Sequence, residues 1–303
     1  MFSCVSEDRR KMSRDLLVGE ARRFLGSSGL GFLPHEVVET LLGSSGFEIE
    51  ELMLALMPLA SEFSLSEISG FRVGAIGLGA SGALYLGANF EFPSCALNQT
   101  IHAEQAVVVN AYNHGENGLL RLAVSAAPCG HCRQFLYELN SAQELRVILE
   151  NTPTSLLADY LPHAFGPEDL GVACGLFSHQ DHALNYLHDE GVSQEVEEAF
   201  QGARRSYAPY SQSYAGLAFT TTDGAVFSSS YLENAAFNPS LLPMQAAYLT
   251  ARLSGHGVQE VRSVSVVQCE DSKIDHAAAA RDLCRMIWPD DDLPVRRILV
   301  SRE

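Results

Sequence analysis

The stretch Phe71-Arg-Val-Gly-Ala-Ile-Gly-Leu78, Ala80-Ser-Gly-Ala83, Leu84-Tyr-Leu-Gly-Ala-Asn-Phe90 decides the fold. Two short apolar runs flank a turn signal, which predicts a β-hairpin. Downstream, His102 to Asn113 is helix-like, with Ala106, Val109 and Ala111 near one side. Leu119 to Ala126 reads as a strand. Pro128 starts another helix, whose apolar side is Phe135, Leu136 and Leu139, and Leu145 to Leu149 is a short strand. The order is β-β-α-β-α-β. Strands alternating with helices imply an α/β layer fold with crossover connections.

The same order returns later. Tyr214 to Phe219, Thr222-Asp-Gly224 and Ala225 to Ser230 predict a second hairpin. Leu242 to Leu253 reads as a helix, Val261 to Val267 as a strand, Ala277 to Trp288 as a helix and Val295 to Val300 as a closing strand. Gly82-Ala83 aligns with Gly224-Ala225, and Glu91 with Glu233, at one offset, so the chain reads as an internal duplication. Residues 151–190, rich in Pro, His, Asp and Gly, read as a connector. Before the first hairpin the pattern is helical. Leu16, Leu17, Ala21, Phe24 and Leu25 recur at helical spacing, Pro34 opens a second helix over Val37, Val38, Leu41 and Leu42, and Glu48 to Leu59 gives a third. The expected units are a helical N-terminal region (1–47), an α/β unit (48–150), the connector (151–190) and a second α/β unit (191–303).

Composition excludes some functions. Of 303 residues, 37 are Asp or Glu and 20 are Lys or Arg, a formal net charge of −17. So acidic a chain repels polyphosphate and carries no basic stripe, so no nucleic-acid partner is expected. Apolar residues make up 47%, enough for a sizeable core. Met1 to Lys11 has no apolar run after its basic residues, and no stretch is long enough to span a membrane, so a soluble, cytoplasmic protein is expected. The seven cysteines (4, 95, 129, 132, 174, 269 and 284) are odd in number and irregularly spaced, unlike a disulfide framework.

Only Cys129 and Cys132 are closely spaced, within Pro128-Cys-Gly-His-Cys132; the second informative group is His102-Ala-Glu104. Both sit at predicted helix starts. Cysteines at i and i+3 in a first turn point the same way, and the positive helix end favours the thiolate that zinc takes as ligand. His102 at another helix start can reach the same point. Three ligands leave one coordination position open, as in a catalytic site where water is acidified, and Glu104 can then shuttle protons. Each half alone has a duller explanation. A lone Cys-x-x-Cys also fits a structural half-site or two buried thiols, and a lone His-x-Glu arises by chance. His131, between the cysteines, is a weaker fourth-ligand candidate. His114, His163, His179, His182 and His188 read as solvated.

The conjunction of the two is the signature of the zinc deaminases, and the wider sequence resembles the two-domain dimeric branch of the cytidine deaminase family. The resemblance is carried by Phe71-Arg-Val-Gly-Ala, Gly87-Ala-Asn89-Phe-Glu91-Phe, His102-Ala-Glu-Gln, Pro128-Cys-Gly-His-Cys-Arg-Gln-Phe, Tyr160-Leu-Pro-His-Ala-Phe165-Gly-Pro, Ser206-Tyr-Ala-Pro-Tyr-Ser and Tyr231-Leu-Glu-Asn-Ala-Ala-Phe-Asn-Pro. It implies duplicated α-β-α layer units, each with a mixed five-stranded sheet. It implies Zn2+ held by His102, Cys129 and Cys132, with Glu104 as catalytic acid and base, and hydrolysis of cytidine and deoxycytidine to uridine and deoxyuridine with loss of ammonia. Asn89 and Glu91 would bind ribose, Phe71 would pack on the pyrimidine, and backbone groups around Ala103, Ala127 and Cys129 would bond the base edge. Phe165 would enter a partner subunit's pocket, making a homodimer with shared sites. The run Pro-Tyr-Ser-x-Phe expected before the first strand is here Glu67-Ile-Ser-Gly-Phe71, while the second copy keeps Pro209-Tyr210-Ser211. At a constant offset His102 falls on Met244, Glu104 on Ala246 and Cys129 on Asp271, so the second unit is expected to bind no metal. Two alternatives stay open: a deaminase of deoxycytidylate or a polynucleotide, and a non-catalytic structural zinc module.

Overall fold

The computed structural model describes residues 4–187, 192–258, 261–289 and 293–302, with residues 4–13 described by backbone alone. His188, expected at the surface, lies outside these residues. Three helices come first: α1 (Cys4–Ser28), α2 (His35–Ser45) and α3 (Ile49–Glu62). Pro34 is the N-cap of α2, and Gly46 ends that helix in the left-handed region at φ 68°. Glu51 accepts the Glu48 N–H at 3.0 Å and so caps α3.

The hairpin read from the sequence is β2 (Gly74–Gly79) and β3 (Leu84–Ala88), so Phe71 precedes the strand rather than opening it. Then follow α4 (Ala103–Asn113), β4 (Leu119–Val124), α5 (Gly130–Leu136) and β5 (Arg146–Ile148). The second unit contains β8 (Ala215–Thr221), β9 (Val226–Ser230), α8 (Pro243–Leu253), β10 (Val261–Cys269), α9 (His276–Ile287) and β11 (Val295–Arg302). Both units are mixed, with β4 parallel to β5 and β10 parallel to β11 among otherwise antiparallel pairs.

Five elements correct the sequence reading. Phe32–Leu33 is a strand, β1, that pairs with β3, so the N-terminal region is not wholly helical and the first sheet has six strands in the order β1-β3-β2-β4-β5-β6. The connector is not merely a link: Ser155–Leu156 (β6) extends the first sheet, and Leu184–Tyr186 (β7) completes the second, ordered β7-β11-β10-β8-β9. The connector also forms a short helix, α6 (Leu157–Tyr160). Finally, α7 (Gln194–Arg204), capped by Ser193, is the second unit's counterpart of α3. His182 is also more than a surface residue, since its ring stacks on Tyr214 at 3.6 Å and its Nε2 meets the Ser206 carbonyl at 2.8 Å.

The packing explains why the two units form one object. One face of the first sheet (Ile76, Leu78, Leu84 and Leu86) packs on α1 to α3. Its other face shares a continuous core with α4, α5, α8, α9 and the inner residues Leu217, Phe219, Val264 and Val266 of the second sheet. The outer face of the second sheet (Ala218, Val267, Ile298 and Val300) packs on α7. Strand side chains alternate between faces, so each strand feeds two layers.

A close approach sets the height of α4 above its sheet. At Gly87 a Cβ would stand 2.4 Å from the Ala103 carbonyl oxygen and 2.6 Å from the Val107 nitrogen. These atoms are backbone and cannot swing away. Gly87→Ala is expected to lift the start of α4 and cost about 1–3 kcal/mol or more, whereas Gly43→Ala, with nothing within 4 Å on exposed α2, is expected to be stabilising by up to about 1 kcal/mol. Paired denaturant melts compare the two.

Candidate metal centre and active site

His102 is the N-cap of α4, and Cys129 is the N-cap of α5. Gln105 fixes the first: its Oε1 accepts the His102 N–H at 3.1 Å. The second is fixed by Arg133, which donates to the Pro128 carbonyl at 2.7 Å and the Tyr160 carbonyl at 2.8 Å. The two helix starts converge. His102 Nδ1 lies 3.5 Å from Cys129 Sγ, Cys129 Sγ lies 3.7 Å from Cys132 Sγ, and one ligand atom from each residue falls within 4.8 Å of the others. This is the one His/Cys/Asp/Glu group of that compactness among the described residues.

The electrostatics follow from crowding. Hydrogen bonds from Cys132 and His102 pull the Cys129 thiol down to about 3. The bond to Cys129, together with burial, pushes Cys132 up. His102 is raised by its bond to Cys129. Two sulfurs and an imidazole thus share protons in a space where a cation would replace them. The donor set fits zinc, and three protein atoms leave one position of a tetrahedral ion open. Glu104 lies beside this triangle without joining it: its side chain is 3% exposed, bonds the Cys132 thiol and is raised by burial. His131 also stays outside the triangle, its ring stacked on that of His102 with centroids 5.6 Å apart.

The expected sugar residues are buried beside the hairpin. Asn89 Oδ1 accepts from Ser64 Oγ at 2.6 Å and from the Val73 N–H at 2.9 Å, and its Nδ2 donates to the Phe71 carbonyl at 3.0 Å. One amide proton of Asn89 remains for a further acceptor. Glu91 accepts from the Ile68 and Ser69 N–H groups at 2.8 and 2.9 Å and from Ser69 Oγ at 2.5 Å. Burial alone would raise its carboxyl, but these bonds outweigh it and hold Glu91 below the usual range. Ser64 and Ser69, which bond these two side chains, carry no spacing signal of their own in the sequence beyond the Ser of the Glu67–Phe71 run. Ala103 is buried at the first position of α4, whereas Phe71 is 60% and Phe165 43% exposed. A cavity of about 400 Å³ between Tyr137, Asn140, Asp169 and Cys174 includes none of these residues.

The second unit corrects the constant offset. Leu242 is the N-cap of α8, and Gln245 Oε1 accepts its N–H at 3.0 Å, the same cap that Gln105 gives His102. The equivalent of His102 is therefore Leu242 and that of Glu104 is Met244, because the preceding loop is two residues shorter. The N-cap of α9 is Asp275, not Asp271, and its carboxylate accepts the Ala278 N–H at 3.0 Å. Leucine in place of His102, methionine in place of Glu104 and a capping carboxylate in place of Cys129 cannot reproduce this site.

Residues 48–148 match the family described as the cytidine and deoxycytidylate deaminase zinc-binding region, and residues 157–281 match a second family of the same description. The cytidine deaminase of Vibrio vulnificus is 42% identical over 257 residues, 85% of each chain. That of Cronobacter sakazakii is 45% identical over 242 residues, 80% of this chain and 81% of its own. A solved cytidine deaminase from Mycobacterium tuberculosis is 32% identical with a TM-score of 0.37, covering 40% of this chain and 99% of its own. Metal analysis is expected to find one zinc per chain. His102→Ala and Cys132→Ala are expected to lose that zinc on dialysis, and His131→Ala to keep it.

Proposed function

The chain belongs to the zinc-dependent cytidine deaminase family, and we propose that it hydrolyses cytidine and deoxycytidine at the cluster formed by His102, Cys129, Cys132 and Glu104. The observation that carries this reading is a buried carboxyl, Glu104, set against a compact imidazole and two-thiol triangle yet outside it. His102, Cys129 and Cys132 would hold the zinc. Bound zinc supplies Lewis acidity, which brings the pKa of a water close to neutrality.

Glu104 then moves the protons. It accepts one from the attacking water and delivers it to N3 of the ring, which makes C4 electrophilic. The water oxygen bonds to C4. Glu104 takes a second proton from the new C4 hydroxyl and passes it to the exocyclic amine, the C4–N4 bond breaks as the C4 carbonyl forms, and ammonia leaves a uracil ring. Asn89 supplies its remaining amide proton, and Glu91 an acceptor oxygen, to the ribose hydroxyls. Phe71 packs on the ring, and the backbone at Ala103, Ala127 and Cys129 bonds its edge.

Phe71, Ile68 and Phe165 leave large apolar surface uncovered on one chain. This supports a homodimer in which Phe165 of one protomer closes the site of the other. Cysteine usage supports a cytoplasmic setting, and the charge of −17 supports a nucleoside rather than a polynucleotide substrate. No helix among the described residues is long and apolar enough to cross a membrane.

Glu104→Ala is expected to retain zinc while the ultraviolet loss of cytidine slows by orders of magnitude; near-normal turnover removes Glu104 from the mechanism. Deoxycytidine monophosphate and a cytosine oligonucleotide, assayed in parallel, are expected to be poor substrates. If the site is shared, mixing unfolded and refolded Glu104→Ala and Phe165→Ala chains is expected to restore activity that neither has alone. No recovery, with dimers present by sedimentation, refutes the sharing.

A further inference from the structure

The second unit has Pro209-Tyr210-Ser211 and Tyr231-Leu-Glu-Asn234, where the first has Glu67-Ile-Ser69 and Asn89-Phe-Glu-Phe92, although it lacks the ligands. Part of what these residues now touch is the first unit. Glu138, two residues past α5, is fully buried. Its Oε1 accepts from Tyr207 OH at 2.8 Å and Tyr210 OH at 2.5 Å, and its Oε2 accepts from the Ala235 N–H at 2.8 Å. All three donors belong to the second unit. Asn234 Nδ2 adds a bond to the Gln134 carbonyl, inside α5, at 3.2 Å. Glu233 accepts from the Tyr210 and Ser211 N–H groups at 2.8 and 3.1 Å, so Tyr210 is held at its backbone and at its hydroxyl by two carboxylates.

This contact has no mirror image. A reciprocal pair of bonds does join the units symmetrically: Gln105 Nε2 to the Pro239 carbonyl at 3.2 Å, and Gln245 Nε2 to the Gln99 carbonyl at 2.8 Å. At the positions equivalent to Tyr207 and Tyr210, however, the first unit has Leu65 and Ile68. The second unit has Ala280 or Cys284, according to the loop shift, where Glu138 would fall. The one-sided contact reaches α5 and the two residues after it, and Tyr207 OH also lies 3.4 Å from the Cys174 carbonyl. That helix has seven residues, too short to hold its own shape or direction. A buried carboxylate is costly unless its acceptors are filled, so its three donors fix where α5 ends.

We propose that Glu138 is a positioning residue through which the degenerate unit clamps α5, keeping Cys129 and Cys132 aimed at His102. The proposal rests on reading that triangle as the zinc site. Its test uses full-length zinc-loaded protein and follows transfer of zinc to a colorimetric chelator. Glu138→Gln is compared with the pair Tyr207→Phe and Tyr210→Phe. Asn113→Ala is the control, since Asn113 bonds Thr250 at 2.8 Å and Ser229 at 3.0 Å across the units but does not touch α5. Zinc is expected to leave Glu138→Gln and the tyrosine pair at least tenfold faster than wild type. In both, kcat is expected to fall while KM stays within twofold. Asn113→Ala is expected to melt earlier yet release zinc at the wild-type rate.

Release within twofold of wild type from the folded tyrosine pair overturns the proposal, as does equal acceleration in Asn113→Ala. Should Glu138→Gln fail to fold, the tyrosine pair, which loses only two hydroxyls, carries the test. A wild-type protein that takes up zinc but leaves cytidine untouched refutes the functional reading alone, and the chelator result still decides the clamp. A wild-type protein that takes up no zinc overturns both.

Discussion

Two helix starts must arrive at one point, and the structure is arranged around that requirement. A cation held by three side chains tolerates little error in their positions. His102 and Cys129 come from helices separated by a strand, so neither helix can place the other. The sheet does it. Gly87 allows α4 to lie directly on β3, and β4, antiparallel to β2, returns the chain to the same end of the sheet, where α5 begins. The N-caps then turn both side chains out past their helix ends. Being positive, those ends also suit anionic sulfur.

Much of this was legible in the sequence because the signals are local. The hairpin, the helix starting at His102 and the helix following Pro128 each carry their pattern within about a dozen residues. The His-x-Glu and Cys-x-x-Cys spacings carry the chemistry. What escaped was set by distant partners. Two-residue strands such as Phe32–Leu33 and Ser155–Leu156 have no periodicity to read; they exist because a neighbouring strand offers its edge. Glu138 reads as one more acidic residue near a helix end until Tyr207 and Tyr210, some seventy positions later, are seen to bond it.

Two features are different in kind. The helix Gln194–Arg204 had a readable pattern in Ser193, Val196, Ala199, Phe200 and Ala203, and the duplication itself places it opposite α3. The repeat offset also drifts. It shortens by two residues before α8 and lengthens before α9, since loops tolerate insertion where helix caps do not. Matching the caps, Gln105 with Gln245, recovers the register that a rigid offset loses.

The edge strands of the two sheets have a consequence of their own. β6 follows the first unit in the chain, whereas β7 precedes the second, yet each lies antiparallel beside its unit's last parallel strand. One intervening segment therefore finishes both sheets. A cut between β6 and β7 would leave each sheet its own edge strand, so what ties the repeats together is the core shared between their facing sheets. A shared core preserves the shape of a copy that lacks the ligands: residues that touch no neighbour can change, while those buried against the other unit stay bound to the same architecture.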